Sequence, residues 1–205
     1  MKLEDVATAV HEHRGEFLCE QINNEEQTKT FAFAHLATAP TGADGVPDVG
    51  RLRDFYDTFG SVLFYHNADS GDAARHLAPM ALWPELHADF SDWIDVLDDD
   101  ERAEAVPEWV ETCLVLGETP HSGNYILMAT EGPSAGHVFE FDHDGFEFVH
   151  EADDMIGYVE RLLKPDASKL VDMAAHMRFV ESDPMIQWWI LELKDNRGHT
   201  ASTEA

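Results

Sequence analysis

Apolar residues recur along this chain with two different periods, and the switch between them divides it. Near the N-terminus Leu3, Val6, Val10 and Phe17 fall on one helical stripe with His13 between them, which predicts a helix over residues 3–22. Residues 23–50 carry polar runs and then Pro40, Gly42, Gly45 and Pro47, the signals of a long loop around a short apolar piece at 31–37. Leu52, Phe55, Tyr56 and Phe59 make a helical face that Gly60 ends, so a second helix is expected over 50–59, followed by a strand at 62–66. Pro84 suits the first turn of a third helix over 84–97, with Leu86, Phe90, Trp93 and Leu97 as its buried face.

From residue 112 the period drops to two. Segments 112–116, 125–129, 137–141 and 146–150 read as short strands, separated by turn signals at 122–124, 132–136 and 142–145. Connections this short join antiparallel neighbours, and Asp144-Gly145 between aromatic runs is a hairpin signal. Asp153 is placed to cap a helix with Ile156, Val159, Leu162 and Leu163 inward, which Pro165 stops. Ser168 could cap one more helix through Phe179, with Leu170, Met173, Ala174 and Met177 inward. After Asp183-Pro184, the segment holding Trp188, Trp189, Ile190 and Leu193 fits either helix or strand, and residues 196–205 are expected to fray. The pattern predicts an α+β fold, with an antiparallel or mixed central sheet of about four to six strands flanked by helices.

Charge changes the picture of what such a domain would meet. The 205 residues hold 13 Lys+Arg against 41 Asp+Glu, a formal charge of −28. That surface repels phosphate and anionic headgroups, which argues against nucleic acid and membrane as partners. It fits either a solvation surface, as in a salt-loving organism, or an electrostatic match for a basic protein. The strongest run is Asp98, Asp99, Asp100, Glu101 and Glu104, with Trp109 close by as an aromatic anchor; core packing is the alternative for Trp109 as it is for Trp93. Met1-Lys2-Leu3-Glu4-Asp5 is unlike a signal peptide, and no apolar run approaches the ~18 residues of a membrane span, so a cytoplasmic protein is expected.

Candidate chemistry is thin. Cys19, placed in the first helix, and Cys113, placed in a strand, read as core residues rather than a disulfide, a zinc thiolate pair or a nucleophile. On a helix, His11 and His13 point about 200° apart and cannot share a metal; one exposed and one core-edge histidine are expected. Asp142-His143-Asp144 looks like a ligand cluster, but at a hairpin tip such residues bond their own backbone. Nucleophile-elbow, phosphate-loop and dinucleotide fingerprints are missing. No catalytic residue, metal or cofactor is therefore expected.

One stretch resembles a known family. Gly117-Glu118-Thr119-Pro120-His121-Ser122-Gly123-Asn124-Tyr125-Ile126-Leu127, then Gly136-His137-Val138-Phe139-Glu140-Phe141-Asp142-His143-Asp144-Gly145, then Glu151-Ala152-Asp153-Asp154-Met155-Ile156-Gly157-Tyr158 into an apolar helix, is similar to the SUKH superfamily. Upstream, Leu52, Phe55, Tyr56, Phe59 and Gly60 look like that family's early helix and turn. The resemblance covers about 46–164, which frames residues 1–45 as an N-terminal helix and loop and 165–205 as a helical extension with a frayed tail. Asp154 and Met155 depart from it, standing where Ser and an aromatic are common. The superfamily includes a yeast regulator of cell-wall synthesis and many bacterial immunity proteins. What it implies here is a non-catalytic protein-binding domain, most simply an immunity protein that neutralises a cognate toxin such as a basic nuclease. A scaffold with an endogenous partner, or a metal-dependent enzyme, are the alternatives.

Overall fold

The N-terminal stripe breaks at His13. In the computed structural model, which describes residues 2–177, 179 and 186–204, helix α1 (Leu3–Glu12) buries Val6 and Val10, and His13 then turns to extended backbone. Burial next alternates through Phe17 and Cys19, so the second half of the expected 3–22 helix is strand β1 (Arg14–Gln21). Gly15 is required there: a Cβ would lie 2.2 Å from the Lys194 carbonyl oxygen of the neighbouring strand. The loop expected over 23–50 is in large part a second strand, β2 (Asn24–Thr38), which buries Phe31 and Phe33 and turns Ala32, Ala34 and Leu36 outward. Its first half, residues 25–30, is polar and exposed at every position, which is why the segment lacks the hydrophobicity of a core strand.

Helix α2 (Leu52–Tyr56) precedes β3 (Ser61–His66) and the short β4 (Arg75–Leu77). Helices α3 (Trp83–Asp95) and α4 (Asp99–Ala105) then leave the sheet, and the chain returns as β5 (Leu114–Thr119), β6 (Asn124–Met128), β7 (Val138–Asp142) and β8 (Glu147–Ala152). Helices α5 (Met155–Leu162) and α6 (Ala167–His176) lead to β9 (Trp188–Asp195) and β10 (Thr200–Ser202). Asp154 caps α5 through Gly157 N–H, and Asp166, not Ser168, caps α6 through Lys169 N–H. Asp183 and Pro184 lie outside the described residues.

All ten strands join one antiparallel sheet in the order β10-β9-β1-β2-β3-β4-β5-β6-β7-β8, larger than the four to six strands expected. The excess has an identifiable source. The sequence pattern predicts helix and loop over 14–38 and a frayed tail over 196–205, yet β1 and β2 pair with each other and Thr200–Ser202 pair with Glu192–Lys194. Strands β1 to β8 run as a meander, and α5 and α6 carry the chain back to lay β9 against β1.

Two apolar layers form on opposite faces. One packs α1, α2, α5 and α6 against Phe17, Phe33, Phe64, Leu77, Ile126 and Val138. The other packs α3 against Val115, Tyr125, Leu127, Phe139 and Phe141. Strand β6 lies between both, and all five of its residues are buried. The α3 stripe is Leu86, Phe90 and Ile94 rather than one ending on Trp93 and Leu97; Trp93 is half-buried against His143, with ring centroids 4.9 Å apart.

Candidate functional site

The α3–α4 layer carries the charge that the sequence singled out. Between residues 83 and 112 there are eleven Asp or Glu and one Arg. The amphipathic period forces this segregation: α3 commits Leu86, Phe90 and Ile94 to the sheet, leaving Glu85, Asp89, Asp92 and Asp95 exposed. Asp98, Asp99, Asp100, Glu101 and Glu104 are all exposed around α4. Two of them also serve the backbone. Asp98 accepts Asp100 N–H at 3.0 Å and Glu101 N–H at 2.9 Å, while Glu101 accepts Asp98 N–H at 3.1 Å, a reciprocal cap of the helix start. Asp99, Asp100 and Glu101 occupy the first turn, where the helix dipole favours negative charge. The lone base, Arg102, lies 2.8 Å from Glu111 and 3.7 Å from Asp95.

Trp109 is brought near this layer and is half-buried. Its indole stacks on Phe139 with centroids 4.2 Å apart and meets Phe148 edge-on at 5.7 Å. Its remaining surface lines an open cleft of about 440 Å³ with Glu108, Glu131 and Pro133. Core packing and an exposed anchoring edge are thus combined in one residue.

A second charge cluster was missed in the sequence. Arg75, on β4, is only 2% exposed and donates from Nε and Nη2 to the two carboxylate oxygens of Glu140, at 3.1 and 2.9 Å. Its Nη2 also pairs with Asp172 of α6, and its Nη1 donates to Ala74 O at 2.7 Å. Glu140 accepts from Tyr158 OH at 2.8 Å and from Lys169 Nζ at 2.9 Å. Lys169 continues to Glu151 at 2.8 Å, and Glu151 faces Arg161 Nε at 3.1 Å in an ion pair without a well-aligned hydrogen bond. Three bases and three acids alternate as Asp172, Arg75, Glu140, Lys169, Glu151 and Arg161, beneath a cleft of about 240 Å³. Burial works to raise the Glu140 carboxyl, but the Arg75 and Lys169 charges overcome it and hold it well below the usual carboxylate range. Burial and the neighbouring Glu140 push Glu151 the other way, up.

A third cluster joins the α1–β1 junction to β2 and β9. His13, read as a core-edge residue, is fully buried. Tyr65 N–H donates to His35 Nδ1 at 2.9 Å, so His35 carries its proton on Nε2, which donates to His13 Nδ1 at 2.7 Å. His13 Nε2–H then donates to Asp195 Oδ2 at 2.9 Å. Burial lowers the His35 pKa from 6.5 to about 3, and lowers that of His13 as well.

Cys19 is buried in β1, not in a helix, and Cys113 is buried just before β5; burial pushes both thiols up to about 12, out of the nucleophilic range. At the β7–β8 tip Asp142 accepts Asp144 N–H at 3.1 Å, as a turn residue does, and Asn124 Oδ1 holds His143 Nδ1 at 2.7 Å. Among the described residues, two groups have His or carboxylate atoms close enough to hold a metal: Asp142, His143 and Asp144, and also His137, His150 and Asp153. No helix among the described residues is long and apolar enough to cross a membrane.

The class this fold and surface define is an α+β domain with one ten-stranded antiparallel sheet and an acidic helical layer on part of one face. No protein-family model, curated protein or solved structure matches the chain.

Proposed function

We propose that this chain is a non-catalytic protein-binding domain whose acidic α3–α4 layer docks a basic protein surface. The observation that carries the reading is the segregation of charge: eleven acids and one Arg in a 30-residue layer, with the acids of α3 and α4 turned outward. Asp98, Asp99, Asp100, Glu101 and Glu104 steer the approach and Trp109, with one edge open to a cleft, supplies the anchor. The resemblance to the SUKH superfamily over 46–164 supports the specific form of this reading, an immunity protein that covers a basic toxin domain such as a nuclease.

The test uses the full chain and, as probe, the product of any neighbouring gene that encodes a basic protein. Association is expected to slow by about tenfold or more between ~0.01 M and ~1 M salt, because exposed charges are screened over that range. A chain carrying Asp98→Asn, Asp99→Asn, Asp100→Asn and Glu101→Gln should associate at least about tenfold more slowly at low salt, and Trp109→Ala should dissociate faster. Binding without salt dependence, or unaffected by these changes, overturns the assignment of the surface. Protection of cells from the adjacent gene product favours the immunity form, and binding without protection favours a regulatory scaffold.

A further inference from the structure

We propose that His137, His150 and Asp153 form a binding site for a divalent transition metal of the zinc type. The site adjoins the docking surface above, since Phe139 contacts both Trp109 and His150, but it rests on different residues and neither proposal depends on the other.

The three residues converge from separate pieces of backbone. His137 sits just ahead of β7, its N–H bonded to Ser134 O at 2.9 Å and its carbonyl receiving Ala129 N–H at 3.2 Å. His150 lies on β8, where it opposes Phe139, and the register shift beside it leaves Glu151 without a partner and turns that side chain to the other face. Asp153 precedes Asp154, the cap of α5, so the start of that helix fixes its position. The two imidazoles stand with centroids 5.1 Å apart, inclined at 57°, and Phe139 supports the His150 ring edge-on at 5.4 Å.

Geometry and chemistry agree on the ion. Tetrahedral zinc with bonds of about 2.0–2.1 Å sets its ligand atoms about 3.3–3.5 Å apart. His150 Nε2 and Asp153 Oδ1 are already 3.3 Å apart, and one atom from each of the three residues falls within a 4.8 Å set. His137 and His150 both keep solvent-facing surface, and binding requires their side chains to rotate to close the remainder. Two imidazole nitrogens and one carboxylate suit zinc, cobalt, nickel or copper over calcium or magnesium, which prefer more numerous oxygens. Three protein ligands leave a fourth position for water or a group from a partner. The hairpin tip differs, because there Asn124 of β6 holds His143 Nδ1 and the Asp144 N–H engages one oxygen of the Asp142 carboxylate.

The test is a cobalt and zinc titration of the purified full chain after chelator treatment. One equivalent of Co²⁺ should give the strong visible absorption of four-coordinate cobalt, and one equivalent of Zn²⁺ should abolish it. His137→Ala and His150→Ala, read separately so that either suffices if the other misfolds, should each weaken binding by about a hundredfold or more, and Asp153→Asn by about tenfold. His143→Ala should leave the titration unchanged. Weak, six-coordinate cobalt binding over many equivalents that ignores the His137 and His150 substitutions means adventitious binding to an acidic surface, and overturns the site. So does a four-coordinate signal lost only with His143.

Discussion

Charge is handled by opposite rules on the two sides of this sheet. Beneath α5 and α6, Arg75, Lys169 and Arg161 are each matched to a carboxylate in a chain whose core is all but removed from water. Over the other face, the α3–α4 layer offers one Arg to eleven acids, all in solvent. In the first region every charge has a fixed partner, so its energetic weight is large and its freedom small. In the second the charges are screened and mutually repelling, so they add little to stability but project a field. The contrast teaches that a strongly acidic chain can separate the carboxylates that hold it together from those it displays.

The largest effect should come from breaking the buried side. Arg75→Ala leaves Glu140 and Asp172 without their guanidinium and is expected to cost about 3–5 kcal/mol, as removal of one partner of a buried pair does. Chemical denaturation of the full chain measures it. A loss below about 1 kcal/mol would mean that water reaches the cluster through the 240 Å³ cleft and screens its charges as it does those of α3 and α4. The double change Arg75→Met with Glu140→Leu should recover much of the loss, since apolar replacement of a buried pair is often close to neutral; Asp172 and Lys169 limit the recovery.

Acid titration sharpens the same contrast. His35 stays neutral in the fold down to about 3, whereas its ordinary value is 6.5. Between those values the unfolded chain binds the extra proton, so stability should rise with pH over this window, by up to about 1.4 kcal/mol per unit, and flatten above it. His13 is lowered too and steepens the fall. Glu140, depressed in the fold, contributes stability above the ordinary carboxylate range that is lost as pH drops further. His35→Asn should flatten the limb near pH 6, and thermal unfolding across pH 4–8 reads it; an unchanged profile would show that the His13–His35 chain is not the source.

How much of this was legible in the sequence differs along the chain for physical reasons. The β5–β8 meander announced itself because Asp144-Gly145 and Gly132-Pro133 punctuate short alternating runs. The β1–β2 hairpin did not, because Val6, Val10 and Phe17 happen to fit one helical stripe, and the first half of β2, residues 25–30, is polar and exposed throughout. The acidic layer was readable, since α3 and α4 are local, although a one-residue drift of the stripe put Ile94 rather than Trp93 in the core. The ion-pair chain was not. Arg75 meets Glu140 and Asp172 from 65 and 97 residues away, and nothing local to Leu77 or Phe141 marks an arginine that the sheet will bury. The His137, His150 and Asp153 convergence depends in the same way on strand register, which spacing alone does not fix.

The displayed side can be probed in two graded steps. Asp98→Ala removes the acceptor for both Asp100 N–H and Glu101 N–H and should cost about 1 kcal/mol, the usual weight of a helix cap, seen as a lower denaturation midpoint.

The smallest stability change is expected from the variant that should matter most for binding. Asp98→Asn keeps the capping oxygen and Glu101→Gln keeps the reciprocal bond, so with Asp99→Asn and Asp100→Asn the chain loses four charges without losing a hydrogen bond. Two terms then nearly cancel. Neutralising the first turn of α4 gives up a favourable dipole contact of a few tenths of a kcal/mol per carboxylate. It also relieves repulsion among Asp98, Asp99, Asp100 and Glu101, which lie within a single turn. Stability should therefore move by less than about 0.5 kcal/mol in either direction at low salt, and by less still at high salt. A stabilisation well beyond that range would show that this layer stores repulsion at the expense of the fold, the mark of charge kept for display. A marked loss would show instead that these acids belong with Glu140 and Glu151 among the groups that hold the structure together.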